Sequence, residues 1–408
     1  MITATEAKHI FTTGEDKALT EIEALGLASQ HDLANGHASQ ELALSQQRII
    51  ASLPEIWAKA AKQKSKDAEA MFKNAFLKLA NTPSLINHEH FKICPTASNS
   101  IDTVATWLAE KQLKTALIEP TFDNLFLILK RRGVELSSLS EESLHNLPDT
   151  ALDFSPLSQG SNAAYKTAYK ELFKEVDAIF LVNPNNPTGK VLTKEQFSSI
   201  VETCAETGKV LILDNTFRFF VPQLYDTYKI LLDSGVTFLS IEDTGKVWPT
   251  QEIKASLLFT SENIIKEVHI IYDEIFLCHS NFALGILAEF LNDAHVRGLD
   301  QAVWNGVAAR RKLFRNKLAG TALTIHPESL DSMISVEWVM IQDHFKHDLD
   351  LSEFFQEKNL VLLPGRQFFW SKKGTAATTN FARFALLKPE AEFLSAIDVL
   401  ANELGRLN

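Results

Sequence analysis

The stretch Ile241-Glu-Asp-Thr-Gly-Lys-Val-Trp-Pro-Thr-Gln-Glu-Ile-Lys254 places a lysine between two apolar runs of the chain. One apolar run leads into it, a second follows at residues 255–259, and the pattern predicts a loop between two buried strands. A lysine in such a loop is most simply a surface residue. If Lys246 points inward instead, its ammonium must be paired with a carboxylate or neutralised as an imine with an aldehyde. Lys246 is therefore a candidate catalytic residue.

Two other segments support a site around this lysine. Val182-Asn-Pro-Asn-Asn-Pro-Thr-Gly189 follows an apolar run, and its two Asn-Pro steps predict a rigid turn that directs the Asn186 amide outward. Leu211-Ile-Leu-Asp214 places a carboxylate at the end of another apolar run. Ligands bind at the carboxyl ends of strands in an open parallel sheet, so a cationic ligand group is expected beside Asp214.

The order of predicted elements indicates an α/β fold. Apolar runs at residues 116–118, 178–182 and 210–213 alternate with helical patterns, which predicts a mostly parallel sheet covered on both faces. Single helices are predicted from Leu42 to Ala61 and from about Asn292. We expect an N-terminal helical lid at residues 1–40, a large domain at 41–290 and a smaller α+β domain at 291–408, with the helix at 41–65 packing near the small domain.

Composition excludes several classes of protein. The chain has 408 residues and a net charge of -11, which argues against a nucleic-acid partner. No apolar run is long enough for a membrane span, and the first seventeen residues lack the apolar core of a signal peptide. Three scattered cysteines predict neither disulfides nor a metal site and fit a reducing cytoplasm.

Lys246, Asp214 and the Asn-Pro-Asn-Asn-Pro-Thr-Gly segment together resemble the fold-type I pyridoxal-phosphate enzymes of the aminotransferase class. The resemblance implies that Lys246 holds the cofactor as a Schiff base, that Asp214 keeps the ring nitrogen protonated and that Asn186 bonds the phenolic oxygen. Phe122 would stack on the ring, and Arg383 would clamp the substrate α-carboxylate. The residues that match the phosphate-binding positions are Ser98, Asn99, Ser100 and Lys254.

Two positions depart from that class, and the second of them points to a cationic substrate. Phe217 stands where the class usually has a tyrosine, and Asp243 stands where it has a phosphate-binding serine. An acid beside a phosphate is unfavourable, whereas an acid facing a guanidinium is favourable. In the N-terminal segment, Thr20 and Glu23 are three residues apart and are expected to share a helix face, unless they form a simple capping box. His37 follows after the Asn35-Gly36 break.

These segments together resemble the pyridoxal-phosphate-dependent L-arginine oxidases of natural-product pathways. That resemblance implies that Thr20, Glu23 and Asp243 hold the guanidinium, that His37 acts in the oxygen steps and that the N-terminal helix closes over the site. It further implies O2-dependent oxidation of free L-arginine through quinonoid intermediates, without a metal. The expected outcome is four-electron desaturation to an unsaturated 2-iminoarginine, with 2-oxoarginine as side product, or else formation of 4-hydroxy-2-oxoarginine. A homodimer or tetramer, and an imine reductase acting downstream, are the partners to expect.

Two alternatives remain open from the sequence. A conventional aminotransferase for a basic amino acid would share Lys246, Asp214, Asn186 and Arg383, but it would not explain Asp243. A ligand sensor that binds the cofactor without turnover would usually carry a DNA-binding module ahead of this fold. The short acidic N-terminal segment gives no sign of such a module. Oxygen uptake without added keto acid separates these possibilities.

Overall fold

The computed structural model describes residues 17–145, 160–250, 252–342 and 344–407. The first sixteen residues of the predicted lid and residues 146–159 of the predicted large domain lie outside this part. The strands are β1 (His31–Asp32), β2 (Phe91–Cys94), β3 (Thr115–Glu119), β4 (Leu136–Ser140), β5 (Ala178–Val182), β6 (Val210–Asp214), β7 (Phe238–Asp243), β8 (Ser256–Thr260), β9 (Leu323–Ile325), β10 (Val336–Ile341), β11 (Leu360–Val361), β12 (Leu363–Pro364) and β13 (Phe381–Ala385).

The helices alternate with these strands in the first two thirds of the chain. They are α1 (Leu19–Ala28), α2 (Leu44–Ala51), α3 (Leu53–Ala60), α4 (Ser65–Ala80), α5 (Ala97–Glu110), α6 (Asp123–Arg131), α7 (Glu141–His145), α8 (Gly160–Leu172), α9 (Lys194–Thr207), α10 (Thr227–Ser234), α11 (Ile265–Ile275), α12 (Asn281–Arg297), α13 (Asn305–Leu318), α14 (Asp348–Gln356) and α15 (Glu390–Gly405). Among these described helices, none combines the length and the apolar character needed to cross a membrane.

A seven-stranded sheet forms the centre of the molecule, in the order β2-β8-β7-β6-β5-β3-β4. The strands β7, β6, β5, β3 and β4 run parallel, and β8 runs antiparallel to both of its neighbours. Every residue of β3, β5, β6 and β7 is buried, as expected for strands that have helices on both faces. The predicted α/β fold with a mostly parallel sheet is confirmed.

The strand order reverses next to β3, which has β4 on one side and β5 on the other. The loops that leave β3 and β5 therefore diverge and open a crevice at the carboxyl edge of the sheet. The register places Val182 beside Asp214, and Asp214 beside Ile241, so the ends of β5, β6 and β7 lie level at this edge. Any ligand in the crevice would contact the loops after these strands.

A smaller antiparallel sheet, in the order β12-β13-β10-β9, forms in the C-terminal part of the chain. Helices α13, α14 and α15 pack in the same region. Arg383, in the middle of β13, pairs in register with Trp338 of β10 and with Leu363 of β12. This sheet therefore holds Arg383 on a rigid strand.

The N-terminal arm contacts the small antiparallel sheet and helix α6, which follows β3. Its helix α1 buries Leu19, Ile22 and Leu25 in an apolar cluster with Trp338 and Phe368. The following strand β1 pairs in parallel with β11, and the main-chain N–H of Leu19 donates to Asp123 Oδ2 at 2.8 Å. Apolar burial and these hydrogen bonds place α1 against the crevice.

Two of the predicted helices have different boundaries. The single helix predicted from Leu42 to Ala61 is wrong, because the chain forms α2 and α3 with a break at Ser52. Pro54 lies in the first turn of α3, where its missing N–H is tolerated, but it could not continue a helix from α2. The helix predicted from Asn292 belongs to α12, which begins at Asn281 and ends before Gly298, where φ is +79°.

Candidate active site

Four neighbouring strands and loops deliver the predicted side chains to one crevice. Phe122 follows β3, Asn186 follows β5, Asp214 ends β6 and Asp243 ends β7. Lys246 lies three residues beyond Asp243, in the loop between β7 and β8. The site is thus built by the parallel sheet at the edge where ligands usually bind.

Lys246 is half-buried and lies in a strongly charged environment. Burial lowers the pKa of its ammonium, and the positive charges of Arg383 and Lys254 lower it further. The carboxylates of Glu23 and Asp243 act in the opposite direction, although the net shift remains downward. An amine with a lowered pKa is more easily neutral, which is the form that attacks an aldehyde or accepts a proton.

Gly245 lies in close contact with two neighbouring side chains beside this lysine. A Cβ atom at this position would lie 2.8 Å from Lys254 Cδ and 3.1 Å from Asp243 Oδ2. The main-chain N–H of Gly245 donates to the same Oδ2 at 2.9 Å. A side chain at position 245 would therefore require the Lys254 side chain to shift.

Asp214 is a buried carboxyl with a raised pKa. Burial raises this pKa to about 6, against hydrogen bonds from the N–H and hydroxyl of Thr216, and the charges of Asp243 and Glu242 raise it too. A cation next to Asp214 would relieve this unfavourable burial. Phe217 is buried close by and offers no hydroxyl, as the sequence indicates.

The predicted phosphate-binding residues lie at the start of α5. Thr96 caps this helix by accepting from the N–H of Asn99 at 3.2 Å. The Ser98 hydroxyl accepts from Asn124 at 2.9 Å, whereas Ser100 is fully buried and its hydroxyl lies 2.8 Å from that of Ser256. A helix N-terminus favours an anion, and the Ser100 contact joins it to β8.

Lys254 is partly exposed and forms an ion pair with Glu252, whose Oε2 lies 2.9 Å from the Lys254 Nζ. Since Ser256 follows two residues later and contacts the first turn of α5, Lys254 lies on the segment that leads to that turn. The predicted phosphate site therefore combines a helix N-terminus with a flexible cation.

Arg383 and Glu23 form a buried ion pair within the site. Arg383 Nη2 donates to Glu23 Oε1 at 2.9 Å and to the Ala34 carbonyl at 2.6 Å. Its Nη1 donates to Asn186 Oδ1 at 3.5 Å, and its guanidinium lies 5.5 Å from the Phe122 ring centre. Burial raises the pKa of Glu23, but Arg383 and Lys246 together hold it below its usual value.

Asp243 is the second buried acid beside Lys246. Burial raises its pKa, while the positive charges of Lys246 and Lys254 and the Gly245 N–H oppose the rise. Its Oδ2 accepts from Gly245, and its buried Oδ1 has no hydrogen-bond partner among the described residues. An unsatisfied buried carboxylate oxygen is unfavourable by itself, so Asp243 is suited to bind a cationic donor.

His37 lies close enough to Lys246 to be affected by its charge. Burial and the charges of Lys246 and Lys254 lower the pKa of His37 to about 4, although Glu252 and Glu23 oppose the shift. Its Nδ1 lies 3.0 Å from Glu252 Oε1. His37 is therefore neutral near pH 7, and one of its ring nitrogens carries a lone pair that can accept a hydrogen bond.

Thr20 is exposed on α1, whereas Glu23 on the same helix is buried, so the two side chains do not share one environment. The place of Thr20 beside a guanidinium stays a prediction. The capping-box interpretation of Thr20 and Glu23 is wrong. Helix α1 begins at Leu19, and Glu21 is the residue that accepts from the N–H of Ala18.

Several contributing residues were not predicted from the sequence. Glu252 contacts both His37 and Lys254, Phe368 lies 5.6 Å below the Arg383 guanidinium, and Asp123 holds the first turn of α1. Asp123 directly follows Phe122 in a predicted site loop, which was the available signal for it. Glu252 and Phe368 gave no such signal, because their roles come from tertiary contacts.

We expect Glu23→Ala to reduce the free energy of unfolding of the cofactor-free protein by about 3–5 kcal/mol, because it leaves the buried charge of Arg383 without this carboxylate. Urea denaturation measures the difference. Glu21→Ala is the matched control on the same helix and should cost about 1 kcal/mol or less, since Glu21 is exposed and only caps the helix. Equal losses for the two variants would contradict the ion-pair assignment.

Comparisons with known proteins agree with this geometry. The family model for aminotransferase class I and II matches residues 58–387. A solved structure of MppP soaked with the product 2-ketoarginine is 32% identical, with a TM-score of 0.79 over 91% of this chain and 99% of that one. Aspartate aminotransferase from Thermus thermophilus with maleate has a TM-score of 0.73 at 14% identity over 95% and 96% of the two chains, which supports the fold alone.

Curated relatives match over short segments. LL-diaminopimelate aminotransferase of Agathobacter rectalis is 37% identical over 73 residues, which is 18% of each chain. Threonine-phosphate decarboxylase of Salmonella typhimurium is 29% identical over 31% of this chain and 30% of its own. The family model covers far more of the sequence than these segments do, and the match to MppP extends over almost its whole length. The chain belongs to the aminotransferase class I and II family and is a relative of MppP.

Proposed function

We propose that this protein catalyses the O2-dependent, pyridoxal-phosphate-dependent oxidation of free L-arginine. The observation that carries the proposal is the position of two buried carboxylates, Glu23 and Asp243, which both act on the charge of the Lys246 amine. The relationship to MppP, whose solved structure was soaked with the product 2-ketoarginine, supports the same substrate class.

The residues of the crevice fit pyridoxal phosphate. Lys246 would bind the aldehyde, Asp214 the ring nitrogen and Asn186 the phenolic oxygen, with Phe122 against the ring. The phosphate would bind at the N-terminus of α5. Lys254 would leave its ion pair with Glu252 and pair with the phosphate instead. The buried carboxyl of Asp214, whose pKa is about 6, gains the cationic neighbour that its burial calls for. Bound pyridoxal phosphate supplies an electron sink that acidifies the Cα–H bond of an amino acid.

Arg383 and Asp243 would hold opposite ends of the substrate. The α-carboxylate of arginine would replace Glu23 as the partner of Arg383, which frees the Glu23 carboxylate. Asp243 Oδ1, which lacks a partner among the described residues, would accept from the guanidinium together with Glu23. Each charge-assisted hydrogen bond of this kind contributes about 1.5–3 kcal/mol. Thr20 stays a prediction as a third guanidinium ligand.

Lys246 and His37 would carry out the proton transfers. Lys246, with its lowered pKa, would remove the Cα proton, and neutral His37 would act as a base in the later steps. Helix α1 packs its apolar side over the crevice and would exclude water from reactive groups. Each two-electron oxidation of the substrate would reduce one O2 to H2O2.

We propose the four-electron desaturation of arginine as the main outcome, with 2-oxoarginine as the two-electron side product after hydrolysis of its imine. Addition of one water to C4 of the four-electron product, and hydrolysis of its imine by a second water with release of ammonia, would give 4-hydroxy-2-oxoarginine instead. By the resemblance to the arginine oxidases, Asn215 and Ala97 favour desaturation, because the resemblance implies smaller or hydroxylic residues at these positions in the hydroxylases. Asn215 donates to Ser240 at 2.9 Å and to Glu242 at 3.2 Å behind Asp214. The choice between products, and a homodimeric assembly, remain predictions.

Oxygen consumption tests the proposal directly. The pyridoxal-phosphate-loaded protein, L-arginine and air, with no added keto acid, should consume O2 and produce H2O2, both followed with an oxygen electrode and a peroxidase assay. A conventional aminotransferase, which the family match also allows, would turn over only after a keto acid is added. If the cofactor-bound protein catalysed neither reaction, the result would favour the ligand-sensor alternative.

A further inference from the structure

Glu141 is a buried carboxylate that the proposed reaction does not use. It is the first residue of α7, directly after β4, and is 2% exposed. Its Oε1 accepts hydrogen bonds from Asn185 Nδ2 at 2.8 Å and from Thr188 Oγ1 at 2.7 Å. These two donors lie on either side of Asn186 in the loop after β5, so Glu141 anchors that loop by two hydrogen bonds.

Asn185 connects this loop to the loop that carries Phe122. Its Nδ2 donates to the Pro120 carbonyl at 2.9 Å as well as to Glu141. Its main chain closes the turn, because its N–H donates to the Lys190 carbonyl at 2.9 Å and its carbonyl accepts from the Gly189 N–H at 2.7 Å. A single amide group therefore fixes the Asn186 loop relative to the Phe122 loop.

A carboxyl group buried at position 141 does not by itself favour the stability of the fold. Burial raises the pKa of Glu141 to about 7, even though hydrogen bonds from Thr188 and Asn185 and the charge of Lys190 lower it. Buried acids of this kind often cost stability when compared with apolar residues of similar size. Two donors that converge on one oxygen give geometric precision, which an apolar side chain could not supply.

We propose that Glu141 is a positioning residue that acts through Asn185 and Thr188 to place the Asn186 amide and the Phe122 ring against the cofactor. This inference rests on the proposed function, since Asn186 and Phe122 meet pyridoxal phosphate only there. In the proposed function, Asn186 would bond the phenolic oxygen and Phe122 would lie against the ring. Displacement of either changes the affinity for the cofactor and its visible absorption, in addition to turnover.

The test compares Glu141→Ala, Glu141→Gln and Thr188→Val with the unchanged protein. For each, the dissociation constant of pyridoxal phosphate and the pH midpoint of the bound-cofactor absorption band are measured, along with the melting temperature of the cofactor-free form. We expect Glu141→Ala to weaken cofactor binding about 10–100-fold and to shift the absorption midpoint, because both donors lose their acceptor. Glu141→Gln keeps an acceptor oxygen and should restore binding to within about fivefold. Thr188→Val loses one bond and should weaken binding about 3–10-fold.

Glu337→Ala is the matched control for a general loss of stability. Glu337 is 1% exposed and pairs with Arg311 and Arg315, and alternation along β10 places it on the face opposite Trp338. This control should lower the melting temperature and leave cofactor affinity and absorption unchanged. If Glu141→Ala left cofactor affinity and absorption unchanged, the inference about Glu141 would be overturned and the proposed function would stand. Thr188→Val serves for the same comparison if Glu141→Ala does not fold. Failure of the unchanged protein to bind pyridoxal phosphate would overturn the proposed function as well.

Discussion

Lys246→Ala is expected to abolish covalent loading of pyridoxal phosphate and to reduce turnover of arginine by about 10⁴-fold or more, because it removes both the imine-forming amine and the proposed base. Loading is measured by mass spectrometry after borohydride reduction, and turnover is measured by O2 uptake. The unchanged protein should gain the mass of one reduced cofactor, located on the peptide that contains Lys246.

Lys229→Ala is a suitable control, since Lys229 lies on α10 and forms an exposed ion pair with Asp233. It should load cofactor and consume O2 like the unchanged protein. A Lys246→Ala variant that still carried the reduced adduct, or that kept full O2 uptake, would remove Lys246 from the catalytic role.

Asp243→Ser should reduce kcat/KM for L-arginine by about 10–100-fold, because the guanidinium loses a charge-assisted partner. Serine is the residue that the aminotransferase class usually carries at this position, so the affinity for pyridoxal phosphate should not fall. Citrulline lacks the positive charge of arginine and should be a poor substrate for the unchanged protein. Steady-state O2 uptake with both amino acids, and a cofactor titration, give the required constants.

Asp243→Asn separates charge from shape, because asparagine retains an acceptor for the Gly245 N–H. It should lose activity with arginine as Asp243→Ser does and retain the low activity with citrulline. If citrulline were used as well as arginine by the unchanged protein, or if both variants lost cofactor rather than arginine, Asp243 would not be a guanidinium ligand.

The strands of the parallel sheet were predictable because buried parallel strands are continuous apolar runs. The run at 178–182 coincides with β5. The run at 210–213 ends one residue before β6 does, because the last residue of this strand, Asp214, is polar although it is buried. Proline and asparagine in the loop after β5 likewise predicted a turn, which the structure forms between Asn185 and Lys190. The family model and the MppP match confirm the resemblance that these segments indicated.

Contacts between distant parts of the chain were not predictable. Glu23 and Arg383 are 360 residues apart, and no local pattern indicates that they pair in the absence of substrate. The exposure of Thr20 depends on how α1 rotates when Leu19, Ile22 and Leu25 become buried. No local pattern distinguishes Glu141, because its role depends on contacts with the loop after β5.

A crystal structure of the pyridoxal-phosphate-loaded protein with L-arginine would show whether the two acids bind the substrate. We expect guanidinium nitrogens within about 3 Å of carboxylate oxygens of both Asp243 and Glu23, with the α-carboxylate on Arg383 in place of Glu23. An arginine whose side-chain tip pointed away from both acids, with Glu23 still bound to Arg383, would contradict it.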